Sequence, residues 1–88
     1  MGSEPSVEFK TAADSSSINI TITLEQSYEK LISLEIYRDG KALSDVSKNV
    51  LSYTFAKDGT YTVIARDNVW RTVESSYSFV KPLPGGEL

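Results

Sequence analysis

Residues 58–67 read D-G-T-Y-T-V-I-A-R-D, and this stretch decides the fold. The Asp58-Gly59 pair predicts a tight turn, because glycine adopts the positive φ that a sharp corner needs. After the turn, every second residue belongs to one inward face, which is the period of a half-buried β-strand. The inward residues are Tyr61, Val63 and Ala65.

The composition narrows the class of protein. The chain has 88 residues, with nine basic and twelve acidic side chains and a net charge of −3. That length suits one small domain. No segment concentrates lysine or arginine, so nucleic acid and anionic membranes are disfavoured as partners, since both need a basic patch. The absence of cysteine and histidine excludes thiol and imidazole chemistry, disulfides and the common zinc sites.

The two ends of the sequence differ in composition from the middle. Residues 1–6 are interpreted as a cloning remnant and a polar lead-in, and residues 7–81 as the domain itself. Residues 82–88 are rich in proline and glycine, which is typical of a linker. We therefore expect the chain to be a module excised from a longer protein.

Alternating apolar and polar residues predict seven short strands separated by turn signals. Six of them flank the central strand and occupy residues 7–11, 18–24, 31–37, the segment after residue 40, 51–56 and 72–80. Each strand has one apolar face, which must be buried against another sheet. The sequence predicts an all-β, seven-stranded antiparallel sandwich.

Asp39-Gly40 predicts a two-residue type I′ hairpin, because this pair tolerates positive φ at both positions. Closing that turn pairs Tyr37 with Ala42 and places Leu43 on the face of Ile36. On the strand before the turn, alternation puts one set of residues inward, namely Ile32, Leu34 and Ile36.

The last hairpin is predicted to pair Tyr61 with Phe79 and Val63 with Tyr77. That register leaves a five-residue loop over residues 68–72 with Trp70 at its tip. The predicted core contains seven residues: Ile20, Ile22, Leu34, Ile36, Tyr61, Val63 and Phe79. The predicted surface positions on the same strands are Thr21, Thr23, Glu35 and Thr62.

Three stretches of the chain resemble the bacterial immunoglobulin-like domains found in secreted and surface-anchored proteins. They are L-S-Y-T-F-A-K-D-G-T-Y-T-V-I-A-R-D, I-Y-R-D-G-K and S-Y-S-F-V-K. The resemblance covers residues 7–81 and implies a Greek-key sandwich. It also implies that Tyr61 forms a tyrosine corner, in which the hydroxyl bonds the backbone at the turn between the sheets. Where many such repeats continue with D-x-x-G-N, this chain has Asp67 to Arg71 with Trp70 inside.

The resemblance implies a non-catalytic module that acts as a spacer or adhesion unit outside a bacterial cell. We expect a monomer whose partners are neighbouring domains of the same chain and, in an adhesion role, a surface glycan or host protein. The alternative is a carbohydrate-binding or accessory module of a secreted hydrolase, with Trp70 and Tyr37 stacking on sugar rings. Trp70 can equally pack on the end of the sandwich.

Other chemistry is poorly supported by the sequence. No nucleophile and base stand in a catalytic pattern, so we expect neither an enzyme nor a cofactor. Loop aspartates raise the question of calcium, but their spacing matches no calcium loop, and only a weak interdomain site at Asp67 stays open. The sequon Asn19-Ile20-Thr21 is short enough to occur by chance.

Overall fold

The computed structural model describes residues 5–24, 30–68 and 71–81 of the chain. Within these ranges there are seven strands and no helix. The strands are β1 (Ser6–Thr11), β2 (Ile18–Thr23), β3 (Leu31–Arg38), β4 (Lys41–Ala42), β5 (Ser52–Phe55), β6 (Gly59–Asp67) and β7 (Thr72–Phe79). The prediction of an all-β chain with seven strands is confirmed. No helix of the described ranges is long and apolar enough to cross a membrane.

The strands form two antiparallel sheets whose neighbours are often distant in sequence. One sheet has the order β1-β2-β5 and the other has the order β4-β3-β6-β7. The chain therefore changes sheet after β2, after β4 and after β5. These crossings bring β2 beside β5 and β3 beside β6, which gives the sandwich-like arrangement that the one-sided apolar strands require.

Buried side chains from both sheets form a single core. The seven predicted core residues are all buried, and the cluster also contains Ile18, Leu31 and Ala65. Thr23 and Glu35 are exposed as predicted, while Thr21 and Thr62 are half-buried. The inward faces of β2 and β6 were thus predictable from alternation alone, because burial of one face imposes a period of two residues.

The Asp39-Gly40 hairpin has the predicted geometry. Asp39 and Gly40 have φ values of 54° and 84°, the two positive angles of a type I′ turn. Tyr37 pairs with Ala42, and the Leu43 amide donates to the Ile36 carbonyl at 2.9 Å. Leu43 packs against the core on the side of Ile36.

The prediction that Ile32 points into the core is wrong. The register of β3 against β6 shifts between Leu31 and Ser33, so that Ile32 is the extra residue of a β-bulge. The bulge turns Leu31 inward, at 4 % exposure, and leaves Ile32 outside at 41 %. One inserted residue inverts the alternation at the start of the strand without disturbing Leu34 and Ile36.

The predicted register of the last hairpin is wrong by two residues. Tyr61 pairs with Tyr77, and Gly59 takes the place opposite Phe79. A shift of two keeps every side chain on its predicted face, so hydrophobic alternation cannot distinguish the two registers. The observed register carries the pairing to Arg66 and Thr72, beyond which the Asp67 amide donates to the Arg71 carbonyl at 3.0 Å.

One residue of the predicted polar lead-in, Pro5, belongs to the folded structure. Pro5 is fully buried, although the sequence predicts that it lies in a polar lead-in ahead of the domain. β1 begins directly after it, at Ser6, which pairs with Thr23. Proline suits this position because it has no amide hydrogen to contribute to a strand ladder.

Candidate functional site

The side chain of Tyr61 joins the two sheets. Its ring is fully buried at the start of β6 and stacks on Phe55 of the other sheet, with centroids 5.1 Å apart. Its hydroxyl donates to the carbonyl oxygen of Lys57, four residues earlier in the turn between the sheets. A buried phenol requires such an acceptor, since an unpaired hydroxyl would be costly to desolvate. Tyr61 therefore has a structural role at this corner.

Aspartates hold the two turns beside this corner. Asp39 Oδ1 accepts a hydrogen bond from the Thr60 amide at 2.9 Å, and the Asp39 amide donates to the Thr60 carbonyl. Asp58 Oδ1 accepts from the Lys81 amide at 3.0 Å, just beyond the end of β7. Both carboxylates are engaged in bonds to the backbone.

At the opposite end of the sheet, Asp67 is the one buried charged residue of the described ranges. Its Oδ1 accepts from the Arg71 amide at 2.9 Å, and its Oδ2 pairs with Arg71 Nε at 2.9 Å. A buried carboxylate needs a compensating charge and donors, and Arg71 supplies both. Asp67 thus closes the β6–β7 hairpin.

The candidate calcium ligands are therefore distributed among separate local turns. Asp14 lies between β1 and β2, where Ser16 donates its hydroxyl at 2.6 Å and its amide at 3.1 Å. These two hydrogen bonds lower the pKa of Asp14. Within the described ranges, no three acidic side chains are grouped so as to hold a metal ion.

Tyr37, one of the two candidate sugar-stacking residues, lies on the outer face of the four-stranded sheet. It is half-buried, pairs with Thr62, and donates its hydroxyl to Glu35 Oε1 at 2.9 Å. The hydrogen bond to Glu35 and the negative charge of that residue raise the pKa of Tyr37. Trp70, the other candidate, lies outside the described residues.

The outer face around Tyr37 is polar and rich in hydroxyl groups. Thr62 and Ser76 hydroxyls lie 2.9 Å apart across β6 and β7, and those of Thr60 and Ser78 lie 3.0 Å apart. Such cross-strand pairs stabilise a sheet by a few tenths of a kcal/mol each, up to about 1 kcal/mol. Among the described residues of this face, small hydroxyl side chains surround Tyr37, and no second aromatic ring stacks beside it.

Asn19 of the sequon is the centre of a hydrogen-bond network on the other sheet. Its Nδ2 donates to Tyr53 O at 3.0 Å and to the hydroxyls of Ser52 and Thr54 at 3.2 Å each. The Thr21 hydroxyl donates to Asn19 Oδ1 at 2.7 Å. Asn19 therefore links β2 to β5, and the Thr21 hydroxyl fixes the orientation of the Asn19 amide.

Tyr53 has a role that alternation along its strand did not reveal. Its hydroxyl donates to the Ser47 carbonyl and accepts from the Ser47 amide, both at 2.8 Å. These two bonds hold the segment between β4 and β5 against the edge of β5. The only signal in the sequence was a tyrosine rather than a phenylalanine at an inward position, which indicates a polar partner for the hydroxyl.

A depression of about 220 Å³ lies where β2 ends and β3 begins. It is lined by Leu24, Lys30, Leu31, Lys48, Asn49 and Leu51. This volume is below the range of most small-molecule sites. Among the described residues that line the depression, none carries a carboxylate or a hydroxyl group.

No family model, curated protein or solved structure matches this chain. The features that define it are therefore the two sheets, the Tyr61 corner and the hydrogen-bonded turns.

Proposed function

We propose that the chain is a non-catalytic immunoglobulin-like module of a bacterial secreted or cell-surface protein, in which it serves as a spacer or adhesion unit. The order of the strands supports the immunoglobulin-like part of this proposal. β2 pairs with β5, and β3 with β6, as the second and fifth and the third and sixth strands do in immunoglobulin sandwiches. β4 lies beside β3, whereas in constant-type domains the fourth strand joins the other sheet.

The tyrosine corner supports the same proposal. In immunoglobulin folds, a tyrosine near the start of the sixth strand bonds the backbone a few residues upstream. Tyr61 stands near the start of β6 and donates to Lys57 O. The core position two residues later, a cysteine in antibody domains, is Val63 here.

The positions of the first and last strands support the proposed role as a spacer. Ser6, at the start of β1, pairs with Thr23 at the end of β2, the end of the sandwich that leads into β3. Phe79, at the end of β7, pairs with Gly59 at the opposite end, beside the Tyr61 corner. A domain whose first and last strands open at opposite ends extends a multidomain chain by its full length.

Small-angle X-ray scattering tests the spacer role on two copies of the chain joined end to end. A spacer predicts a maximum dimension close to twice that of one copy, because Lys81, the last described residue, lies at the end opposite to Ser6. Two copies packed side by side, with little increase in maximum dimension, would contradict it.

The location outside the cell requires a separate test. Antibodies raised against the chain should label intact cells of the source bacterium, or detect the protein in the culture medium. Labelling only after the cells are lysed would remove the surface and secreted part of the proposal and leave the spacer geometry intact.

A further inference from the structure

Sheet edges expose unpaired backbone groups, and the four edge strands within the described residues, β1, β4, β5 and β7, are not equally protected. β4 has two residues, which is too short to pair extensively with another strand. β5 has four residues and carries the segment held by Tyr53 and Ser47. β1 follows the buried Pro5 and directs Glu8 and Lys10 outward. Short length, a covering segment and charges of this kind all discourage pairing at an edge.

β7 is the least protected of these edges, although it carries one charged residue. It spans eight residues and keeps an unbroken register with β6, without a bulge, proline or lysine. Among the described residues it pairs only with β6, so its second edge has no strand partner. Glu74 is the single charged residue in the strand.

One of the inward-facing residues of β7, Tyr77, has a partly exposed aromatic ring. Tyr77 stacks on Phe9 of β1, with centroids 5.4 Å apart and an angle of 14° between the rings. It is nevertheless 40 % exposed, because it stands at the open side of the sandwich. The next inward residue along the strand is Ser75, whose side chain is small.

We propose that β7 pairs antiparallel with β7 of a second copy of the chain, about a two-fold axis at Ser76. This register sets Tyr77 opposite Ser75 of the second copy, so that each ring meets a small residue. It sets Glu74 opposite Ser78 of the second copy, which keeps the two carboxylates apart and offers each a hydroxyl donor. A two-fold interface of this kind closes on itself, and the two four-stranded sheets become one continuous sheet.

The pairing is weak. A single pair of strands buries less than the roughly 1,200 Å² of most stable complexes, so we expect a Kd on the order of 0.1–1 mM. At concentrations well below this Kd the chain is a monomer, as predicted from the sequence. The dimer forms only where the local concentration of copies approaches the Kd.

Sedimentation equilibrium and a dilution series of ¹⁵N–¹H spectra test the proposal up to about 1 mM chain, the weaker end of that range. The mass should rise toward that of a dimer with concentration, and the amide shifts that change should be concentrated in β7. Ser76→Lys places two lysines opposite each other across the axis and should hold the chain at the monomer mass. Thr23→Lys introduces the same charge at an exposed residue of the other sheet and should dimerise like the parent.

The fold of each variant is verified from the amide shifts outside β7, since Ser76→Lys also removes the hydroxyl pair with Thr62. A chain that stays monomeric throughout the series would overturn the proposal. A dimer that Ser76→Lys leaves unchanged or tightens would overturn it as well, because another surface or register would then be responsible.

Discussion

The hydroxyl of Tyr61 donates a hydrogen bond to the carbonyl oxygen of Lys57, and the ring beneath it stacks on Phe55 of the opposite sheet. One residue therefore fixes the turn from β5 to β6 and the contact between the sheets. The polar end of the side chain determines the path of the backbone, and its apolar body contributes to the core.

Replacing Tyr61 by phenylalanine removes only the hydroxyl. We expect the free energy of unfolding to fall by about 1–2 kcal/mol, because the Lys57 carbonyl loses its donor. Urea denaturation measures this loss. Tyr77→Phe is the matched control, since the Tyr77 hydroxyl has no hydrogen-bond partner within the described residues, and it should change stability by no more than about 0.5 kcal/mol. Equal midpoints for the two variants would mean that the corner contributes nothing to stability.

Two isoleucines four residues apart on β3 test the bulge. Ile36 is fully buried, and Ile36→Ala should cost about 2–5 kcal/mol through lost burial and the cavity left behind. Ile32 is the extra residue of the bulge and is exposed, so Ile32→Ala should stay within about 0.5 kcal/mol. A comparable loss of stability at both positions in thermal or chemical denaturation would mean that Ile32 is buried, as simple alternation predicts, and would contradict the bulge.

The ion pair at the β6–β7 hairpin is unequal, because Asp67 is fully buried and the Arg71 side chain is 25 % exposed. Arg71→Ala leaves the carboxylate buried with fewer donors and should cost about 2–3 kcal/mol. Lys48→Ala removes a positive charge from an exposed residue and should have an effect below about 0.5 kcal/mol. The comparison requires only two denaturation curves, and similar midpoints would show that Asp67 is adequately solvated without its partner.

Local chemistry explains which features of the fold could be predicted from the sequence. The Asp39-Gly40 turn was predictable because its geometry depends on two adjacent residues that tolerate positive φ. The core face of β2 was predictable because alternation runs unbroken from Ile18 to Thr23. Both features depend on neighbours in the sequence.

The predictions from sequence were wrong where contacts between distant residues determine the structure. The Ile32 bulge depends on how β3 meets β6, and nothing in the strand's own pattern indicates an extra residue. The β6–β7 register depends on the bonds between Asp67 and Arg71, since alternation is satisfied equally by a shift of two. In the candidate site, Tyr37 was placed correctly on an outward face, whereas the roles of Asn19 and Tyr53 depend on partners more than five residues away.

Gly59 and Gly40 both have a positive φ, but only Gly59 is crowded by neighbouring atoms. Its φ is 153°, and a Cβ added there would lie 2.7 Å from Arg38 Cγ and 3.0 Å from Asp39 Oδ2. At Gly40, with φ of 84°, an added Cβ would meet open space. Gly40→Ala should cost about 1–2 kcal/mol, the usual strain of a left-handed residue. Gly59→Ala should cost more in the same melting experiment, and the reverse order would contradict the close packing of Arg38 over Gly59.

The crossing of the chain between two sheets is the central structural claim, and cross-strand nuclear Overhauser effects between backbone protons test it most directly. We expect effects between Ile20 and Tyr53, and between Ile36 and Val63, which pair β2 with β5 and β3 with β6. A chain that folded as a simple meander would instead show β2 paired with β3 and β5 paired with β6. Effects of that second kind, with none between Ile20 and Tyr53, would contradict the sandwich and the immunoglobulin-like proposal that depends on it.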